Sequence, residues 1–142
     1  METAQRAILF ADVTDSTRIY ESLGDAQAHT LIDQLLWLLG KSAASHGGTV
    51  VKKLGDGMVC AFPTSDEACR AACDMQLTAL GTPAARPADR LAVRIGFTFG
   101  PVVLSEGDVF GDTVNVCSRL VALANPEQVL TTHQTMATIA PE

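Results

Sequence analysis

The stretch VVKKLGDGMVCAF, residues 50 to 62, decides the fold. Two apolar runs flank Gly-Asp-Gly, a pattern that predicts two strands joined by a tight hairpin turn. Lys52 and Lys53 precede the turn on a strand that is otherwise apolar. Aspartate is common in turns, so Asp56 needs no ligand to explain it. Whether its carboxylate also binds something depends on what the fold brings beside the hairpin.

The segments around the hairpin alternate between strand and helix patterns. An apolar strand is predicted at 6–13, and the order along the chain is β, α, β, β, α, β, followed by an extra helix and strand. This order is typical of an α+β fold with a ferredoxin-like βαββαβ core. In that fold the first strand lies beside the hairpin in the middle of the sheet. We therefore expect Asp12 and Asp56 to be close in space.

The other elements are predicted with bounds that a structure can test. The long helix from Asp25 to Gly47 is amphipathic, and we expect it to bury Ala28, Leu31, Leu35, Leu38, Leu39 and Ser42 on one face. The remaining predictions are a helical segment at 18–24, hairpin strands at 48–55 and 57–63, a helix at 64–81, a loop at 82–89, a strand at 90–99, a turn at Gly100-Pro101, a helix at 111–125 and a strand at 127–132.

The composition indicates one globular domain over residues 1–142. Hydrophobic residues make up 47% of the chain, which is enough for a core and excludes a disordered linker. The net charge of -6, without any basic stripe, argues against a general nucleic-acid surface. The longest apolar run, at 35–40, is too short to span a bilayer, and the N-terminus lacks a signal-peptide pattern, so a cytoplasmic protein is expected. Four cysteines without metal or redox spacing are expected to be buried, reduced thiols: Cys60, Cys69, Cys73 and Cys117.

Asp12 and Asp56 together indicate a particular chemistry. Asp12 ends an apolar strand and is followed by Thr-Asp-Ser-Thr, a turn that opens a helix. A carboxylate there can hold a divalent cation while helix N-terminal amides bind phosphate oxygens. Two neighbouring carboxylates suit a pair of Mg²⁺ ions in phosphoryl transfer. Taken singly, each has a simpler explanation: Asp56 as a turn residue and Asp12 as an acid at a helix start.

Four stretches carry a resemblance to a known family: ILFADVTDSTRIYESLGD (8–25), VVKKLGDGMVCAF (50–62), RIGFTFGPVV (94–103) and GDVFGDTVNVCSRL (107–120). In order and spacing they resemble the class III nucleotidyl cyclase catalytic domain, from about residue 6 to residue 132. The resemblance implies a lyase that converts a nucleoside triphosphate into a 3',5'-cyclic nucleotide and pyrophosphate, in signal transduction. It also implies two Mg²⁺ or Mn²⁺ ions, bound by Asp12, Asp56 and the Val13 carbonyl. Ser16 and Thr17 are placed at the substrate.

The resemblance also assigns the groups that read the base and stabilise the transition state. In adenylate-type members a lysine and an aspartate read adenine, and here these are Lys52 and Asp108. Guanylate-type members usually carry Glu and a small residue such as Cys there, so ATP is the expected substrate. Asn115 and Arg119 match the pair that orients the ribose and stabilises the developing phosphate charge. Their i, i+4 spacing puts both on one helix face, although a solvated arginine is the simpler explanation for Arg119 alone.

In this family the two halves of a site come from different subunits, so the resemblance implies a head-to-tail homodimer with two sites. Family members continue past the strand at 128–132 into elements with a triphosphate-binding lysine, which this chain does not match. We therefore expect the front portion of a longer polypeptide, with a regulatory domain C-terminal to it. The family also usually has Gly at the position of Asp15. Aspartate tolerates the left-handed conformation of such a glycine.

Four alternatives stay open at this point. The chain is an adenylate cyclase, a guanylate cyclase, or a catalytically weak module of cyclase fold that binds nucleotide or dimerises. A ferredoxin-like protein unrelated to cyclases is the fourth and simplest explanation. The intact set of site residues favours an adenylate cyclase, whereas Asp15 and the unmatched lysine favour the weak module.

Overall fold

The computed structural model describes residues 1–84 and 86–140. Position 85 of the predicted loop and the last two positions of the predicted domain, 141 and 142, lie outside the described residues. The strands are β1 (Glu2–Val13), β2 (Thr49–Leu54), β3 (Gly57–Phe62), β4 (Val93–Ser105), β5 (Asp108–Phe110) and β6 (Val129–Thr131). The helices are α1 (Ser16–Leu23), α2 (Asp25–Ser45), α3 (Ser65–Leu80), α4 (Asp112–Val121) and α5 (His133–Met136), with a 3₁₀ turn at Pro87–Asp89.

The strands form a mixed sheet in the order β2-β3-β1-β4-β5, and β6 pairs with β4 in parallel. The first four strands therefore have the order predicted for a ferredoxin-like core, with β1 between the hairpin and β4. Asp12 lies opposite Gly57 on β3, one residue from Asp56. The expected proximity of Asp12 and Asp56 follows from this register.

Two cores lie on the two faces of the sheet. Alternate residues of β1, including Leu9 and Ala11, pack against α2 and α3, while Ile8 and Phe10 pack towards Cys117 and other residues of α4. Since side chains alternate along a strand, Asp12 has the parity of Phe10. Its carboxylate therefore belongs to the α4 face of the sheet.

The strand β2 contains a bulge. Val50 lies opposite Cys60, but Lys52 lies opposite Val59, so Val51 is an extra residue in the ladder. Val51 packs with the core on the α4 face. Lys52 shares that face, because the residue opposite it, Val59, belongs to the same core.

Three predictions about element bounds need correction. First, β1 starts at Glu2 rather than residue 6, because its N-terminal residues pair with the far end of β4. Second, the chain does not turn at Gly100-Pro101, since β4 continues to Ser105. The Pro101 carbonyl accepts a hydrogen bond from the Thr113 hydroxyl (2.8 Å) and not from β1. Because a residue's N and O point to the same side of a strand, the missing N–H of Pro101 breaks no bond to β1. Third, α4 ends at Val121 rather than residue 125.

The buried face of α2 includes Ala28, Leu35, Leu39 and Ser42, as predicted, but it is rotated away from Leu38. Leu38 is 39% exposed, whereas Ile32 and Leu36 are buried. The sequence 31–39 offers leucine or isoleucine on several sides of the helix, so periodicity alone does not determine which side faces the sheet. Of the four cysteines, Cys60 and Cys117 are buried as predicted, but Cys73 is exposed and Cys69 only partly covered.

Candidate active site

Asp12 and Asp56 meet where β1 and the hairpin turn adjoin. The Val13 N–H at the end of β1 donates to the Asp56 carbonyl (2.9 Å), which fixes the turn against the strand. Burial chiefly raises the pKa of Tyr20 on α1, and the negative charge of Asp56 adds to it, so the Asp56 carboxylate lies near the Tyr20 hydroxyl. The predicted pair of carboxylates is therefore brought together.

The positive charge near Asp12 is too small to offset the burial of its carboxylate. Burial raises its pKa, the nearby Arg94 guanidinium lowers it, and the charge of Asp56 raises it further. Arg94 Nη2 lies 3.5 Å from Asp12 Oδ2, too far for a strong hydrogen bond. The net upward shift means that the protein destabilises the charged form of this carboxylate. Such a site favours an added cation.

Arg94 is a residue of this site that sequence reasoning did not assign. It lies on β4 directly opposite Asp12, and its Nη1 donates to the Ala122 carbonyl at the end of α4 (3.3 Å). Its Nε is buried and makes no hydrogen bond within the described residues. Arg94 does lie within the strand predicted at 90–99. Only the register between β1 and β4 shows which of its residues adjoins Asp12.

Gly57 is required by the close approach of β3 to Asp12. A Cβ at this position would collide with Asp12 Oδ1 and lie 2.7 Å from the Ala11 carbonyl oxygen. We expect Gly57→Ala to displace the Asp12 carboxylate and to lower the free energy of unfolding by about 1–3 kcal/mol, the usual cost of overpacking. Urea unfolding measures this.

The matched control for Gly57→Ala is Gly40→Ala in α2. There the nearest atom to an added Cβ is a Val50 methyl at 3.3 Å, and alanine is the better helix former. We expect the stability of Gly40→Ala to stay within about 1 kcal/mol of wild type. Equal stability of the two variants would contradict the proposed close contact at Gly57.

The turn after β1 has the geometry expected at the position of a glycine. Asp15 has φ 52° and ψ 35°, in the left-handed region, and its side chain does not cap α1. Ser16 and Thr17 form the first turn of α1. The turn therefore begins within two residues of Val13, and the predicted phosphate-binding residues lie next to the carboxylate pair.

The predicted base-reading pair is also assembled. Lys52 Nζ lies 3.0 Å from Asp108 Oδ2, joining β2 to β5 above the α4 face. The other carboxylate oxygen, Oδ1, accepts from the Val109 N–H (2.7 Å). This backbone hydrogen bond first, and then the bond to Lys52, hold the pKa of Asp108 below its usual value. Asp108 is thus kept ionised and oriented as an acceptor.

Lys53 points to the opposite face from Lys52, because neighbouring side chains of a strand alternate between its faces. Its Nζ lies 2.6 Å from Asp33 Oδ1 on α2, and both side chains are about half exposed. A surface pair of this kind contributes little to stability. Lys53 therefore lies away from the Lys52–Asp108 pair.

Asn115 and Arg119 lie on the outer surface of α4. Both are exposed, whereas Cys117 and Val121 of the same helix are buried against the sheet. Their shared face, predicted from the i, i+4 spacing, therefore points away from the sheet that carries Asp12. Within this chain they complete no site.

Metal ligands from side chains alone are few. Within residues 1–84 and 86–140, no group of three or more His, Cys, Asp or Glu side chains is placed to hold an ion. Asp12 and Asp56 fit a hard divalent cation by their oxygen atoms and by the uncompensated charge of Asp12. In such a site the remaining ligands are backbone carbonyls, water or phosphate oxygens.

Comparison with known proteins decides the family. The family model described as the adenylate and guanylate cyclase catalytic domain matches residues 2–142. The chain belongs to this family. The resemblance inferred from the four stretches is thereby confirmed, and with it the fold class.

Proteins similar to this cyclase domain include some named adenylate cyclase and some named guanylyl cyclase. It is 34% identical over 124 residues to an adenylate cyclase of Streptomyces coelicolor, covering 87% of this chain and 31% of that protein. The crystal structure of an adenylate/guanylate cyclase/hydrolase from Silicibacter pomeroyi matches with a TM-score of 0.79 at 33% identity, covering 96% of this chain and 80% of that one. A dimeric guanylyl cyclase domain of the RhoGC fusion protein from Blastocladiella emersonii has the same fold, with a TM-score of 0.86 at 20% identity over 97% of this chain and 85% of that one.

The cyclase domain spans about a third of the length of the curated relatives that it matches. In the described part of the chain, no helix combines the length and the apolar character needed to cross a membrane.

Proposed function

We propose that the chain is an adenylate cyclase domain that converts ATP into 3',5'-cyclic AMP and pyrophosphate. The main support for this reaction is the adjacent pair Asp12 and Asp56, next to the turn after β1 that is proposed to bind phosphate. The Lys52–Asp108 pair supports ATP as the substrate. The product would serve in signal transduction.

The metal requirement is part of this proposal. Asp12, Asp56 and the Val13 carbonyl would hold two Mg²⁺ or Mn²⁺ ions. When bound, the ions supply positive charge that helps the ribose 3'-hydroxyl to ionise and offsets the charge of the leaving pyrophosphate. Arg94, beside Asp12, would add a fixed positive charge next to the triphosphate. Amides of Ser16 and Thr17 at the start of α1 would donate to phosphate oxygens.

The chemistry is an in-line displacement at the α-phosphate. The bond from the ribose 3'-oxygen to phosphorus forms while the bond from phosphorus to the bridging oxygen breaks, and pyrophosphate leaves. Asn115 would orient the ribose. Arg119 would stabilise the negative charge that develops on the α-phosphate oxygens, as a preorganised cation does in other phosphoryl transfers.

A homodimer is the assembly that this geometry favours. Asn115 and Arg119 point outward from α4, so they can reach a nucleotide held by Asp12 and Asp56 of a second copy. The same is proposed for Lys52 and Asp108. Head-to-tail pairing of two copies then completes two equivalent sites.

The direct test is product analysis. The purified chain is incubated with ATP or GTP and Mn²⁺, and the cyclic product is separated by chromatography. We expect cyclic AMP and pyrophosphate in equal amounts. Cyclic GMP as the main product would replace this proposal by a guanylate cyclase. Nucleotide binding without turnover would support the weak module, for which the acidic Asp15 beside the triphosphate gives a physical reason.

Exchange of the base-reading pair is expected to change the substrate preference. A lysine donates to adenine N1 and an aspartate accepts from the 6-amino group, whereas guanine presents the reversed pattern. We expect Lys52→Glu with Asp108→Cys to lower the ratio of kcat/KM for ATP to that for GTP by about 10- to 100-fold, as one or two hydrogen bonds are lost. Steady-state kinetics with both nucleotides measure this ratio.

The adjacent lysine provides a matched control for that exchange. Lys53→Glu makes the same change one residue along β2, on the face towards α2. We expect its ATP preference to match wild type. An equal shift in both variants would mean that the effect is general electrostatics and not base recognition.

A further inference from the structure

A short segment between α3 and β4 contacts the turn after β1 and the far end of helix α1. We call residues 86–92 the clamp segment. At one end, both the N–H and the hydroxyl of Thr14 donate to the Ala92 carbonyl, at 2.9 and 3.2 Å. At the other end, the Ser22 hydroxyl donates to Asp89 Oδ1 at 2.5 Å. Thr14 precedes α1 and Ser22 lies in its last turn. The clamp segment therefore forms hydrogen bonds just before the start of α1 and near its end.

The second contact is built around a covered carboxylate. Asp89 exposes 4% of its surface. Its Oδ2 accepts from Arg86 Nε at 2.9 Å, and Arg86 Nη2 also donates to Ser22 Oγ at 2.7 Å. The hydroxyl thus donates to the carboxylate and accepts from the guanidinium, so the three groups close a ring. These hydrogen bonds, from Ser22 first and then from Arg86, hold the pKa of Asp89 below its usual value.

The turn itself has few other supports. Asp15, Thr17 and Arg18 are exposed, and Ile19 is the one residue of α1 that is buried. An eight-residue helix is too short to be stable by itself in water. Its position therefore depends on Ile19, on the partly buried Tyr20 and Leu23 that pack against the same core, and on its two attachments to the clamp segment.

We propose that Ser22, Asp89 and Arg86 are positioning residues that fix the start of α1 against the Asp12–Asp56 pair, so that its amides are already aligned when a triphosphate binds. The inference rests on the proposed function, because it assigns α1 the phosphates of the nucleotide. The three side chains do not touch the substrate. They act through the placement of residues 14–18.

A positioning role predicts a specific kinetic pattern. With the ring broken, the turn samples other conformations, and only the fraction with aligned amides binds nucleotide well. Asn115, Arg119, Asp12 and Asp56 are unchanged, so the rate from the bound state is retained. We expect Ser22→Ala to raise the KM for ATP about five- to tenfold, the effect of one hydrogen bond to a charged group, with kcat within about twofold of wild type.

Matched variants separate this role from a general loss of stability. Ser22→Thr keeps the hydroxyl and is expected to restore the KM to within about twofold of wild type. Ser45→Ala removes a hydroxyl that, among the residues the structure describes, bonds only to the Ser42 carbonyl of its own helix (2.9 Å). Its KM is expected to be unchanged. If kcat and melting temperature fall together in Ser22→Ala while KM stays constant, the residue is merely structural and the proposal is wrong.

A second measurement does not depend on activity. Amide hydrogen exchange of the nucleotide-free chain reports the opening of residues 14–18 directly. We expect exchange there to be about five- to tenfold faster in Ser22→Ala and in Asp89→Asn than in wild type and Ser22→Thr, with β1 and β4 unchanged. Unchanged exchange at 14–18 would overturn the inference even in an active enzyme. Faster exchange in a chain that forms no cyclic nucleotide would uphold the clamp and count against the proposed function.

Discussion

Asp12→Asn is expected to reduce cyclic AMP formation by about 1,000-fold or more, since loss of a bound cation removes several kcal/mol of transition-state stabilisation. The substitution keeps the size of the side chain and removes its charge. Because the folded state raises the pKa of Asp12, ionisation of this carboxyl costs more in the folded than in the unfolded chain and lowers stability once the pH exceeds the unfolded-state pKa. We therefore expect the melting temperature of Asp12→Asn to be equal to or higher than that of wild type.

The opposite signs of these two effects make the prediction easy to contradict. Product chromatography measures the activity and thermal unfolding measures the stability. Asp33→Asn is the matched control, because it neutralises a carboxylate that pairs with Lys53 on the other face of the sheet. We expect its activity to stay within about twofold of wild type, as for most exposed pairs. Retained activity in Asp12→Asn would remove the basis of the proposed mechanism.

Arg119→Ala is the second substitution with a large expected effect. Removing a charge that acts on the transition state typically lowers kcat by about 100- to 1,000-fold, with a much smaller change in KM. Arg119 is exposed on α4 and makes no side-chain hydrogen bond within the described part of the chain, so stability is expected to stay within about 0.5 kcal/mol of wild type. Steady-state kinetics with ATP and Mn²⁺ give both constants.

Mixing the two inactive variants tests the shared site. In a head-to-tail dimer of one Asp12→Asn chain and one Arg119→Ala chain, one site carries both substitutions and the other carries neither. Random pairing of equal amounts is expected to recover about a quarter of wild-type activity, because half of the dimers are mixed and each has one intact site. No recovery, in a mixture shown to exchange subunits, would mean that Arg119 acts within its own chain.

Much of the arrangement follows from the sequence because its signals are local. The hairpin is specified by apolar runs around Gly-Asp-Gly, and the α3 N-terminus by Thr64, whose hydroxyl accepts from the Glu67 N–H (3.3 Å). Once β1 lies between the hairpin and β4, the pairing register of β1 with β3 places Asp12 beside Asp56. The spacing of Asn115 and Arg119 similarly determines that they share a face.

The features that sequence reasoning missed depend on contacts between distant segments. Arg94 reaches Asp12 through a strand register that no local pattern specifies, and the Ser22–Asp89 bond joins residues 67 positions apart. The continuation of β4 through Pro101 depends on which side of the strand the missing N–H faces. Rotation of α2 is set by packing against the sheet, where several apolar faces compete.

The bulge in β2 determines which of two consecutive lysines pairs with Asp108. If pairing continued regularly from Val50 opposite Cys60, Lys52 would lie opposite Met58, in the place that Lys53 holds beside α2. The extra residue, Val51, shifts the alternation by one and turns Lys52 towards Asp108 instead. The backbone pairing of β2 therefore determines which lysine joins the proposed base-reading pair.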